Sequence, residues 1–215
     1  MRNFVKSMLL AVAAGSIWAT PSRAVVVTFN GVPSVGNPVV PSLATDGYTF
    51  ASGHFHTIDS PTISSYGGNP TNGTISLSEE AGSLGLPITM TATSGAPFTL
   101  VGFDGAEGFI NSTAAAAGGY PNAFAIRVVG NLSGGGTVSA DFTLDALADG
   151  AGGIADFQTF AFPATFTNLS SAVFSGVFAT GGPGGGISLD NINVVPEPTA
   201  ALALLAVPLL GRRRR

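Results

Sequence analysis

Apolar and polar residues alternate one for one along much of this chain. Phe124, Ile126 and Val128 alternate with Ala125, Arg127 and Val129, and beyond Asn131–Gly136 the residues Val138, Ala140, Phe142 and Leu144 alternate with Thr137, Ser139, Asp141 and Thr143. Successive side chains on a strand point to opposite faces. A period of two with one apolar and one wet face therefore predicts an antiparallel hairpin that covers a core. Phe124, Ile126, Val128, Phe142 and Leu144 are its expected core residues. Shorter runs of the same rhythm predict strands at Val25–Phe29, Tyr48–Phe50, Phe55–Ile58, Thr74–Leu77, Ile88–Thr93, Phe98–Phe103, Phe157–Phe162, Ala172–Ala179 and Ile187–Val194. Pro33, Pro38 and Pro41 mark a connection, while Tyr66–Gly73 and Gly181–Gly186 mark turns, where Gly and Asn tolerate left-handed backbone. In the final strand the phase slips, with Ile187 and Leu189 on one face and Ile192 and Val194 on the other. A β-bulge at Asp190-Asn191 would return both pairs to the core, because one extra residue inverts the alternation. Ala114–Ala117 has the best helical propensity, but glycines follow it at once. Short strands, frequent turns and no convincing helix predict an all-β fold, an antiparallel β-sandwich of jelly-roll type.

The alternation breaks at both ends. At the front, Arg2 and Lys6 precede the apolar run Met8–Ala14, which continues through Ile17 to Ala19, and Ser22-Arg23-Ala24 supplies small residues for cleavage. This is the layout of a secretory signal peptide, with cleavage after Ala24 and Ala19 as second choice. At the back, Val195-Pro196-Glu197-Pro198 is followed by the uncharged segment Thr199–Gly211 and then by Arg212, Arg213, Arg214 and Arg215. The two prolines bar a helix from running upstream, since each lacks a backbone donor and restricts its neighbour. The apolar segment of 13 residues makes roughly 20 Å of helix, against about 30 Å of bilayer hydrocarbon. As a permanent tail anchor it would need a thinned bilayer or arginines snorkelling to the headgroups, and Pro208 weakens it further. A marginal span suits a processing signal better.

A Pro-Glu-Pro tripeptide, an apolar segment and a basic tail, in that order at the extreme C-terminus, resemble the sorting signal of the PEP-CTERM family. Leu189-Asp190-Asn191-Ile192 also looks like the closing strand common in that family. The resemblance covers about 20 of 215 residues. It implies processing by a membrane-embedded exosortase in a Gram-negative, polysaccharide-producing bacterium. The cell surface or an extracellular polysaccharide matrix is then the implied destination. By the positive-inside rule both basic ends stay cytoplasmic and the middle is exported. The expected organisation is a signal peptide over 1–24, a β-sandwich body over 25–194 and a sorting signal over 195–215.

Removing the ends changes the charge. Arg127 is the single basic residue between Val25 and Val195, where eleven of the twelve acids lie, so the body carries a formal −10 against −4 for the chain. Such a surface cannot neutralise phosphates, which excludes nucleic acid as a partner and disfavours anionic lipid. Without cysteine there is no disulfide, thiolate metal site or thiol nucleophile. A body of about 170 residues must therefore rest on its core, and that length suits one domain.

Few residues point to chemistry. His54 and His56 share one side of a strand with Asp59 nearby, a trio able to take zinc, although a plain polar surface explains it as well. Asp104 and Glu107 offer oxygen ligands on an expected turn, and Asp145, Asp149 and Asp156 flank a glycine-rich loop. Calcium is the one cofactor these acids suggest, without EF-hand spacing and with solvated carboxylates as the plainer account. Glu79 and Glu80 are adjacent and would face opposite ways on a strand, unlike the opposed carboxylates of a glycosidase. No catalytic constellation is present in the sequence, and a non-enzymatic role is expected. Tyr48, Tyr66 and Tyr120 sit beside Gly or Pro, where loops would present them as sugar contacts or as seals at the core's edge. Two roles remain open: a structural matrix protein, or a carbohydrate-binding module with a weak site.

Overall fold

A computed structural model describes residues 23–33, 35–58, 70–79, 86–108, 122–147, 149–150 and 155–197, with the side chains of 35–40, 54–56 and 58 left aside. Most of the expected signal peptide, the segment Ala114–Ala117 and everything beyond Glu197 lie outside the described residues. Within them strands are the only regular elements. The strands are β1 (Val25–Val27), β2 (Val35–Thr45), β3 (Tyr48–Ile58), β4 (Ser76–Glu79), β5 (Ile88–Ala92), β6 (Phe98–Glu107), β7 (Ala125–Leu132), β8 (Thr137–Thr143), β9 (Gln158–Ala161), β10 (Leu169–Val177) and β11 (Ile187–Pro196).

Their order is β8-β7-β10-β5-β3-β4-β11-β6-β9, with β2 alongside β3 and β1 alongside β11, and every pairing of these strands is antiparallel. The sheet turns over at β3, whose residues Tyr48–Ala51 pair with β5 while His56–Ile58 pair with β4. Gly53 lies at the changeover, where a Cβ would press within 3.0 Å of Leu86 Cδ1. Leu169 of β10 then meets Phe98 of β6 and draws the two halves together. The result is a nearly closed antiparallel β-sandwich.

Its core is aromatic at the centre. Phe103 is 1% exposed, and the rings of Phe142, Phe160, Phe162 and Phe174 surround it at centroid distances of 5.1–5.8 Å. Such edge-on and tilted contacts suit the ring quadrupoles. Phe50, Phe98, Phe166, Ile88 and Met90 extend the core and are fully buried.

The hairpin read from the sequence is β7–β8, with Ile126 opposite Phe142 and Val128 opposite Ala140. Ile126, Val128, Phe142 and Leu144 are buried as expected, but Phe124 is 46% exposed. Phe124 precedes the strand in a bend, giving its N–H to Val177 and accepting the N–H of Leu144. That bend turns Ala123 and Ala125 inward and the phenyl ring out.

The last strand behaves as its phase slip predicted. The β11–β6 register shifts between Asp190 and Asn193, Asn191 takes a left-handed φ of 47°, and Ile187, Leu189, Ile192 and Val194 are all completely buried. The Pro-rich connection, in contrast, is strand β2. Among the described residues it pairs with β3 alone, and register shifts between Val35, Val40 and Ser42 accommodate its prolines. An edge strand with bulges is where a sheet tolerates residues that cannot donate.

Candidate functional site

β6 runs further than its alternation suggested, and its last residue, Glu107, faces Ile187 of β11 in register. The Glu107 side chain is almost wholly interior, at 2% exposure. Its Oε1 accepts the Ala146 N–H at 2.8 Å, and its Oε2 has no hydrogen-bond partner among the described residues. Ala146 belongs to the segment 144–157 that leads from β8 to β9, and it holds a left-handed φ of 59° beside Glu107. The neighbouring turn is closed by the Leu147 N–H donating to Asp145 Oδ1 at 2.9 Å.

In this strap Asp145, Asp149 and Asp156 each present a carboxylate oxygen within 4.8 Å of the others. Asp145 and Asp149 are exposed and Asp156 is half-buried, with its Oδ1 also enclosed and unpartnered. Burial pushes the Glu107 carboxyl above the ordinary glutamate value. The charges of Asp145 and Asp156 push the same way, while the backbone N–H groups of Glu107 and Ala146 oppose them. Asp156 is also raised, first by burial and then by the nearby charges of Asp149 and Asp145. The three aspartates crowd together at the surface, and the charges of Asp145 and Asp156 reach the interior Glu107. Hard oxygen donors without nitrogen or sulfur suit a hard cation.

The sequence paired Glu107 with Asp104 on a turn, and the structure corrects this. Residues 104–107 are strand, so side chains three apart leave on opposite faces. Asp104 is held elsewhere, accepting Thr159 Oγ1 at 2.7 Å and Asn191 Nδ2 at 2.8 Å, where it steadies the bulge of β11. The convergence of Glu107 with the strap depends on contacts 39 residues apart. The one local sign was the acid-flanked glycine loop. His54 and His56 lie on β3 with side chains outside the described residues, as is Asp59 entirely, so their grouping as metal ligands is not addressed.

Tyr66 and Tyr120 also fall outside the described residues. Tyr48 is not a presented platform: its ring is 3% exposed and packs edge-on against Phe98 at 5.6 Å. Although it follows a glycine turn, it is the first residue of β3, and that position points into the core. Tyr48 does border an open groove of about 490 Å³, walled by Asp46, Thr93, Ser94, Pro97 and Pro196. Of the segment expected as a sorting motif, Val195 and Pro196 continue β11 opposite Thr99 and Phe98. Glu197 gives its N–H to Pro97 at 2.9 Å and accepts Thr99 Oγ1 at 2.6 Å. Pro198 and Arg212–Arg215 lie beyond the described residues.

No protein-family model and no curated protein sequence matches the chain. Several solved structures are similar to it. A variant of a family 29 carbohydrate-binding module complexed with cellulohexaose has a TM-score of 0.44 and 11% identity over 81% of this chain and 91% of its own. Another family 29 carbohydrate-binding module has a TM-score of 0.42 and 12% identity over 89% and 99%. A family 28 module specific for non-crystalline cellulose has a TM-score of 0.39 and 17% identity over 75% and 98%.

Proposed function

We propose that this chain is an exported, non-enzymatic β-sandwich, delivered by an exosortase-type system to the cell surface or to an extracellular polysaccharide matrix. One geometric observation supports the reading best. Val25 pairs with Val194 across β1 and β11, so the chain enters and leaves the sandwich side by side. Two marginal apolar segments that must sit in one membrane, each with its basic end on the cytoplasmic side, call for such an arrangement. The body's −10 charge adds solubility and reach into a hydrated gel. Intact mass measurement of protein from its native host tests the proposal. The expected product lacks both Trp18 and Arg212–Arg215. Full-length chain persisting in the inner membrane as the final form would refute it.

A second reading, a weak sugar-binding module, is favoured by the groove beside Tyr48, whose wall combines proline rings with Asp46, Thr93 and Ser94. The buried Tyr48 ring offers no face for stacking, so affinity there should be millimolar, about −4 kcal/mol. Retention in a matrix would then rest on many copies acting together. Titration of the full chain with neutral and acidic oligosaccharides reads this directly. A millimolar site abolished by Ser94→Trp, which fills the groove, supports it, and no binding to any glycan refutes it.

A further inference from the structure

The acid-rich strap between β8 and β9 carries an inference independent of how the protein is delivered. We propose that Asp145, Asp149 and Asp156, joined by Glu107 from the interior, form a calcium site that ties residues 144–147 and 155–157 to the end of β6. Three aspartates near one another would not mark a site, since exposed acids gather on many protein surfaces. The deciding observation is Glu107, a separate residue from a separate strand. It is 98% buried by its 2% exposure, with one oxygen held against the strap by Ala146 and the other unpartnered among the described residues. A buried carboxylate oxygen left this way is costly unless a positive partner meets it. A second unpartnered oxygen, Asp156 Oδ1, is enclosed in the same cluster. Arg127, the one arginine or lysine between Val25 and Val195, does not supply that partner, being engaged by Asp141 at 2.7 Å on β7–β8.

The geometry suits calcium in particular. Calcium–oxygen distances of about 2.3–2.6 Å place oxygens on opposite sides of one ion about 4.6–5.2 Å apart. The mutual spacing of the Asp145, Asp149 and Asp156 oxygens, all within 4.8 Å, falls at or inside that span. The donors are all carboxylates, which disfavours zinc. They come from a strand end and a loop, an adaptable set that fits six to eight ligands better than the strict octahedron magnesium demands. Three carboxylates whose oxygens lie within 4.8 Å of one another repel, and two positive charges would relieve that repulsion.

The test is calorimetric titration of the full chain, stripped with chelator, against calcium chloride. The expected result is one ion per chain with Kd of about 10⁻⁵–10⁻³ M, the span from sensor sites to extracellular modules. A calcium concentration of about 100 Kd should raise Tm by roughly 5–10 °C. Asp149→Asn alters an exposed side chain and removes one of the crowded charges, so it does not lower the calcium-free Tm, and it weakens binding at least tenfold. Glu107→Gln should weaken binding as well, without lowering the calcium-free Tm. A Glu107→Gln variant that keeps the full calcium-induced shift would overturn the proposal. So would absence of heat and of any Tm change up to about 10 mM calcium, or binding that Asp149→Asn leaves intact. Magnesium binding with equal Kd would overturn the assignment to calcium.

Discussion

Replacing Phe103 by alanine removes the ring on which the central aromatic cluster converges. Phe103 comes from β6, and its neighbours come from β8, β10 and the β9 region, so one side chain ties together strands from both halves of the sandwich. A buried Phe→Ala change costs about 3–5 kcal/mol through lost transfer energy and the cavity left behind. Each favourable ring pair contributes about 0.5–1.5 kcal/mol beyond burial, but the four pairs share one ring and do not simply add. With four aromatic neighbours around a 1% exposed site, the loss should lie at the upper end, about 4–5 kcal/mol. That is a large part of the 5–15 kcal/mol that typically holds a domain together. It should lower Tm by roughly 8–20 °C for a chain of this size. Urea unfolding of the full chain, followed by circular dichroism, measures it, with Phe124→Ala as the parallel variant. The exposed Phe124 should cost less than about 1 kcal/mol. A Phe103→Ala loss below about 2 kcal/mol, or a larger loss at Phe124, would refute this account of the core.

Three further variants test local claims. Gly105→Ala brings a Cβ within 2.7 Å of Ile126 Cδ1 and 2.8 Å of the Phe103 ring, so it should cost about 1–3 kcal/mol, whereas Gly134→Ala, with open space around it, should be near neutral. Asn191→Ala forfeits both a residue that tolerates φ 47° and the bond to Asp104; it should cost about 1–3 kcal/mol in urea unfolding, with part returned by Asn191→Gly. Hydrogen bonding from Arg127 holds Asp141 below the ordinary aspartate value, so the pair stabilises above about pH 4 and that contribution is lost as pH falls through the lowered value. Both partners are exposed, so the Tm difference between wild type and Arg127→Ala should be small, and it should shrink as pH falls below the ordinary aspartate value and in about 1 M salt. A difference that survives both conditions would contradict the ion-pair origin.

The parts of the fold legible in the sequence were those written in period two. The β7–β8 hairpin followed from the alternation of Ile126 and Val128 with Arg127, and the bulge at Asp190-Asn191 from a slip in the same rhythm. Where prolines or glycines interrupted the pattern, local reading failed. Pro38 and Pro41 signalled a connection, yet β2 tolerates them because its other edge pairs with no strand among the described residues. Gly47 suggested that Tyr48 lay on a loop, but the turn ends at Gly47 and strand geometry then directs Tyr48 inward. Asp104-Gly105 read as a turn although Gly105 is there for want of space beside Ile126. Both halves of the acidic cluster were visible as acids. Their meeting was not, because it depends on Ala146 reaching Glu107 across the end of β6, a contact of tertiary structure with no local period.

The continuity of β11 into Val195-Pro196-Glu197 has a mechanical consequence. β11 is flanked by β6 on one side and by β4 and then β1 on the other, and at Pro196 it becomes the outgoing chain. Any pull applied beyond Glu197 enters the sandwich along this strand. Antiparallel ladder bonds lie perpendicular to the strands, so such a load shears several of them at once instead of unzipping them singly. The Glu197 bonds to Pro97 and Thr99 lie at the mouth of that path and take the first strain. β1, running beside β11 from Val25, shares the load before it reaches the aromatic centre. The sandwich is thus gripped by its interior at the point where its tail departs.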